Sequence, residues 1–123
     1  MLDALPARGS CAEATQHSDF AWIQDNVFTP SCTGRACHRA NEEGYLSLAE
    51  GEAFAELVNQ PTDTVSGWTR VVPGSPSTSY LLVALGRASG PPPSDGIMPL
   101  LADPLCAEKL DAIERWIAQG ALP

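Results

Sequence analysis

The residues best equipped for chemistry stand in one stretch, Phe28-Thr-Pro-Ser-Cys32-Thr-Gly-Arg-Ala-Cys37-His38. Two cysteines with a histidine directly after the second are the arrangement for covalent haem. The thiols add across the vinyl groups, and the neighbouring imidazole ligates the iron. The usual spacing is C-x-x-C-H, whereas here four residues separate the cysteines. A loop of that length can bulge and still present both sulfurs, and Gly34 supplies the permissive dihedrals the bulge needs. Iron held by one imidazole requires a sixth donor or keeps an open position. Met98, in Gly96-Ile97-Met98-Pro99, offers a soft thioether from a loop stiffened by Pro91 to Pro93 and by Pro99. His17 is the other candidate donor.

The same residues admit other chemistry. Cys32 and Cys37 can close a small disulfide loop with His38 as an ordinary surface residue. They can bind zinc with His38 and His17, although the second half of a familiar finger spacing is missing. A redox-active thiol pair is a further reading, without the C-x-x-C spacing that usually marks one. A lone methionine is commonly core filler. The chain contains no hydrolytic triad, no phosphate-cradling glycine motif and no paired-carboxylate site. Glu42-Glu43 and Glu50/Glu52 read as solvated surface.

The elements that must position these groups are short. Residues 1–17 read as an irregular arm carrying Cys11. Ser18 or Asp19 caps a helix in which Phe20, Ile23 and Val27 recur at helical spacing, and Thr29-Pro30 is expected to stop it. A second helix is expected over 50–59, with Phe54, Leu57 and Val58 on its buried side and Gln60-Pro61 ending it. Thr62 to Ser77 reads as loop, with 69–72 as a brief extended piece. A third helix is expected around 77–87, bearing Tyr80, Leu81, Leu82 and Leu85. Gly90-Pro-Pro-Pro-Ser-Asp-Gly96 then makes a stiff extended loop. The last helix has Asp103 as N-cap, Pro104 at its first position, a Leu110, Ile113, Ile117 stripe with Trp116 beside it, and Gly120 as its stop. The expected class is all-α, about four short helices joined by long loops, with residues 1–18 as an arm and 19–123 as the domain. Loops of such length need an organiser, and a prosthetic group would serve.

Composition narrows the partners. Of 123 residues, Gly and Pro make 21, and charged residues only 18%, too few for a wholly disordered chain of this hydrophobicity. Fifteen acids face seven bases, one of them the single lysine, Lys109, so no basic face exists for nucleic acid or an anionic membrane surface. No apolar run approaches the ~20 residues of a membrane span. The N-terminus lacks the features of a secretory signal. Four cysteines in a short Pro-rich chain nevertheless suggest an oxidising compartment. A leader replaced by Met1 reconciles the two, and places the protein in the periplasm or outside the cell.

With these residues in order, the chain resembles a small class I c-type cytochrome domain, a divergent version of the kind found in myxobacterial and planctomycete secreted proteins. The resemblance rests on a short helix at 20–28, then Cys32, Cys37 and His38. It continues through Arg70-Val-Val-Pro-Gly-Ser-Pro with Ser79-Tyr-Leu-Leu, the Gly96-Ile-Met98-Pro99 loop, and the closing Glu114-Arg-Trp-Ile-Ala-Gln-Gly-Ala. It spans roughly residues 19–121. It implies a cytochrome c-like fold around one covalent haem c, with His38 and Met98 as axial ligands. It also implies that the first and last helices cross, Phe20, Ile23 and Val27 meeting Leu110, Ile113 and Ile117. If those helices pack together, Cys11 and Cys106 come within reach of a disulfide; the alternative is two separate buried thiols.

With both axial positions filled by protein, the expected role is electron transfer rather than catalysis. The potential would be raised by His/Met ligation and by an apolar wall drawn from Phe28, Tyr45, Leu48, Leu57, Trp68, Leu82 and Leu85. Arg70 is a candidate to pair with a haem propionate, or is simply a solvated loop charge. A net charge of −8 implies a basic or neutral redox partner. Two other readings stay open. One is a haem-free, disulfide-stapled binding or structural module outside the cytoplasm. The other is a haem enzyme or gas sensor with Met98 off the iron.

Overall fold

Apolar residues at helical spacing near the C-terminus, Ala112, Ile113, Trp116 and Ile117, are all buried, and the other elements gather on that face. The structure is a computed structural model and describes residues 6–33, 38, 46–94, 96–99 and 104–123. Gly34, Cys37, Glu42, Glu43, Tyr45 and Asp103, named above, lie outside the described residues. In chain order the helices are α1 (Cys11–Ala14), α2 (Phe20–Ile23), α3 (Thr29–Cys32), α4 (Ala53–Leu57), α5 (Tyr80–Ala84) and α6 (Ala107–Ala118). A π turn, Gln24–Phe28, joins α2 to α3, and a 3-10 turn, Pro76–Thr78, precedes α5. Among the described residues β-pairing is limited to isolated bridges, which tie the extended piece at Thr69 and Val71 to Val58, Pro61 and Ser79. No helix among them is long and apolar enough to cross a membrane.

The N-terminal segment is more ordered than its small polar residues suggested. Ser10 and Glu13 form a capping pair: the Ser10 hydroxyl accepts from the Glu13 N–H at 3.1 Å, and the Glu13 carboxylate accepts from the Gly9 N–H at 2.8 Å. Ala14 is fully buried as a result. From α6, Arg115 donates to the carbonyls of Ala14 and His17 at 2.9 and 2.8 Å, and the Ala14 carbonyl also accepts from the His17 N–H at 3.2 Å.

Pro30 does not stop the first helical run, contrary to the sequence expectation. Helical backbone continues over residues 20–32, because the π turn widens the helix ahead of the proline. Proline cannot donate to the carbonyl of residue 26, and Lys109 does so instead, its Nζ lying 3.1 Å from the Asn26 oxygen. Replacing Lys109 with Met should therefore cost about 1–2 kcal/mol. The cost should shrink in a Pro30→Ala background, where residue 30 regains an N–H. A urea double-mutant cycle measures that coupling, and strict additivity would sink the explanation.

Other boundaries shift for local reasons. The second helix keeps only its central part, 53–57, with Gly51 at φ +84° ahead of it and Asn59 at φ +60° behind. The third splits into the 3-10 turn and α5, and Gly86 at φ +80° follows. The last helix begins at Ala107 rather than at Pro104, because Cys106 takes the extended N-cap position while bonded to Cys11. The core runs from Ile23, Val27 and Phe28 through Leu57 and Leu82 to Ile113 and its neighbours. Phe20, half-buried, faces Trp116 across α2 and α6 with ring centroids 5.1 Å apart.

Candidate functional site

His38 is the best-fixed of the candidate ligands. Its N–H donates to the Cys32 carbonyl at 2.8 Å. Its own carbonyl accepts from the Leu48 N–H at 2.7 Å. Its Nδ1 lies 2.8 Å from the Leu46 carbonyl, which can only accept, so Nδ1 carries the proton. In the neutral ring Nε2 is then left with the lone pair, the form that ligates a metal, and a backbone carbonyl behind the other nitrogen is the usual support of such a ligand.

The segment 46–48 acts as a strap across this histidine. Ser47 is held at its N–H by Glu56 at 2.9 Å, and its hydroxyl donates to Glu52, so Glu52 is a strap anchor rather than the solvated charge the sequence suggested. The Leu48 carbonyl accepts from Gln24 Nε2 at 2.9 Å, and the same nitrogen lies 3.1 Å from Thr29 Oγ1. Gln24 is 4% exposed, and its Oε1 has no hydrogen-bond partner. Four residues after Phe20 and three before Val27, it stands on the helical stripe that those apolar residues define, so its position is legible although its polar side chain does not read as part of the core. Gln24 opens the π turn and shares the buried side with Ile23, Val27 and Phe28.

Cys32 ends α3 and packs against the buried cluster, its Sγ 3.8 Å from the Val27 carbonyl. Met98 packs against the same cluster, and its N–H donates to the Ala84 carbonyl at the end of α5 at 2.8 Å. Of the expected apolar wall, Phe28, Leu48, Leu57, Leu82 and Leu85 are buried. Trp68 is half-buried and meets Tyr80 edge-on, 5.8 Å between centroids. Gly90 lies against that pair of elements so closely that a Cβ would come within 2.9 Å of Val83 and 3.1 Å of Trp68. The Tyr80 hydroxyl donates to the Pro91 carbonyl at 2.9 Å, anchoring the proline loop upstream of Met98, and burial pushes this phenol above its ordinary pKa.

The remaining candidates lie in other settings. Arg70 donates to the Glu56 carbonyl at 2.8 Å and pairs with Asp63 at 2.9 Å, so a propionate would meet it only by sharing that fork. Cys11 and Cys106 are joined, with Cα atoms 6.3 Å apart. Their sulfurs and Glu108 form the ligand-like cluster found among the described residues, and His17, Cys32 and His38 do not form one. His17 instead stacks on Trp22 at 4.9 Å and holds Asp19 at 3.0 Å. It lines an open cavity of about 500 Å³ together with Arg8, Glu13 and Asp25.

The α1–α2 corner has its own acid dependence. Burial pushes the Asp19 carboxyl up, but the His17 imidazole and the Trp22 N–H outweigh it, and the net pKa lies below the ordinary value. The Gly9 N–H, aided by the Trp22 indole, lowers that of Glu13 as well. A lowered folded-state pKa contributes stability above the unfolded value and loses it as pH falls through the folded one. Thermal melts of wild type and Asp19→Asn should therefore differ at pH 6, begin to approach one another as pH falls past the ordinary carboxylate value, and meet only below the lowered folded-state value. A difference that persists at the acid end would exclude this origin. Comparisons with protein-family models, with curated proteins and with solved structures found no match for the chain.

Proposed function

We propose that this chain is a c-type electron carrier, holding one haem through Cys32 and Cys37 with His38 and Met98 as axial ligands. The observation that carries the reading is His38: its Nδ1 proton is committed to the Leu46 carbonyl, which leaves Nε2 to ligate, and its backbone N–H is bonded to the Cys32 carbonyl. The donor set also suits iron, an imidazole nitrogen with a thioether sulfur. When bound, the haem would supply outer-sphere, one-electron chemistry. The protein's part is to fix the imidazole by its strap, to bring Met98 in from the end of α5, and to keep water away with Phe28, Leu48, Leu57 and Leu82. The acidic surface would speed encounters with a basic or neutral partner and make them salt-sensitive. An oxidising location, periplasmic or secreted, agrees with the Cys11–Cys106 bond.

That bond equally supports the second reading, a haem-free module stapled by disulfides. One experiment separates them. The chain is produced with export and c-type maturation, and its intact mass after unfolding is recorded with oxidised and reduced absorption spectra. Retained haem mass and a sharp reduced α-band support the carrier. A colourless chain four hydrogens lighter than its sequence mass points to two disulfides and overturns it. In the coloured protein, Met98→Ala should replace the low-spin six-coordinate spectrum with one open to added carbon monoxide. An unchanged spectrum would place Met98 off the iron and favour a sensor or enzyme.

A further inference from the structure

We propose that Gln24 is the positioning residue for His38, acting through the Leu46–Leu48 strap; this rests on the reading of His38 as a ligand. Gln24 donates from Nε2 to the Leu48 carbonyl at 2.9 Å, and the Leu48 N–H donates to the His38 carbonyl at 2.7 Å. Two residues back, the Leu46 carbonyl receives the imidazole Nδ1–H at 2.8 Å. The strap is thus bonded to His38 at both ends and to the helical run by one buried side chain. Its other anchors, Glu52 at the N-cap of α4 and Glu56 within it, hold only Ser47.

The orientation of the carboxamide follows from its partners. A carbonyl can only accept, so the nitrogen must face Leu48, and a flipped amide would set two acceptors against each other. This leaves Oε1 buried without a donor, which costs free energy that an apolar side chain would avoid. What the glutamine adds to the interior is therefore its bond to the strap. The glutamine stands in the π turn, a kind of helical insertion often found beside functional groups.

The full chain, labelled with ¹⁵N in its two histidines, tests this before any haem is attached. In the wild type the His38 Nδ1–H should appear as a proton protected from exchange by the Leu46 carbonyl. Gln24→Met keeps the length and removes the donor. It should speed exchange of that proton roughly tenfold or more while leaving the amides of α6 as protected as before. A Nδ1–H that exchanges at the wild-type rate in Gln24→Met overturns the proposal. If Gln24→Met does not fold, exchange in the wild type decides: His38 Nδ1–H and the Leu48 amide should open together, and separate opening overturns it. In haem-loaded protein the same substitution should shift the reduction potential. Failure of haem attachment would remove the carrier reading but leave the apo comparison intact, so the two failures can be told apart.

Discussion

Replacing Cys11 and Cys106 by serine together is expected to lower stability by about 4–5 kcal/mol, the chain-entropy figure for a closed loop of this size. The two residues stand 95 apart in sequence, so the bond restrains nearly the whole unfolded chain. Engineered cross-links often deliver less, but this one joins elements that already pack, α1 lying against α6 with Arg115 bonded to two carbonyls of the N-terminal segment. The double-serine variant is preferable to a reductant, because it removes this one bond and nothing else. Urea unfolding should show a lower midpoint together with a larger m-value, because the open unfolded chain exposes more surface. A midpoint shift worth less than about 1 kcal/mol would mean that the unfolded state is compact without the bond.

Trp116→Ala should be nearly as damaging, at about 3–5 kcal/mol. The side chain is 2% exposed and sits where the first and last helices meet, its ring 5.1 Å from that of Phe20. Phe20 in turn touches Phe28 and Phe54, so the cavity would open beneath an aromatic group that cannot readily collapse into it. The indole N–H also donates to the Leu122 carbonyl at 2.7 Å and holds the C-terminal residues down. Trp116→Phe would fill most of the space and lose mainly that bond, for about 1–2 kcal/mol. Melting temperatures for a domain of this size should fall by roughly 10–20 °C for alanine and by a few degrees for phenylalanine. Equal losses from the two variants would show that the hydrogen bond, not the packing, is what matters.

The parts of the fold that a sequence reveals most readily are those with one strong periodic signal. Leu110, Ile113, Trp116 and Ile117 announce α6, and Gly120 at φ +112° follows its end. Phe20, Ile23 and Val27 likewise announce α2. What periodicity misses is compensation at a distance. Pro30 reads as a stop until Lys109, distant in sequence, supplies the missing donor. Gln24 stands on the stripe of Phe20 and Val27, but nothing near it in sequence marks the Leu48 carbonyl as its partner. Ser10 and Glu13 did carry a legible local signal, the S-x-x-E spacing of a capping box, hidden within a stretch of small polar residues.

At the candidate site the residue types are visible in the sequence and their supports are not. Cys32, His38 and Met98 stand out by chemistry alone. The Leu46 carbonyl that fixes the imidazole is a backbone atom, and no side-chain pattern marks it. Arg70 shows the reverse case. Its charge suggested a propionate partner, and the fold gives it Asp63 and the Glu56 carbonyl. An arginine's neighbours depend on which loops meet, here 56–63 and 69–71, and that is a tertiary property.

The dependence of the N-terminal elements on α6 bears on the order in which the protein can come into being. Asn26, Ala14, His17, Ser18 and Cys11 all find their partners at Cys106, Lys109, Arg115 or Gln119. Until the ribosome has released those residues, the first helices have no surface to rest on and are too short to persist alone. Folding must therefore wait for synthesis of residues 106–119, and closing loops of such length makes it slow for a helical chain. During that interval Cys11, Cys32 and Cys37 are accessible to enzymes that act on unfolded polypeptide.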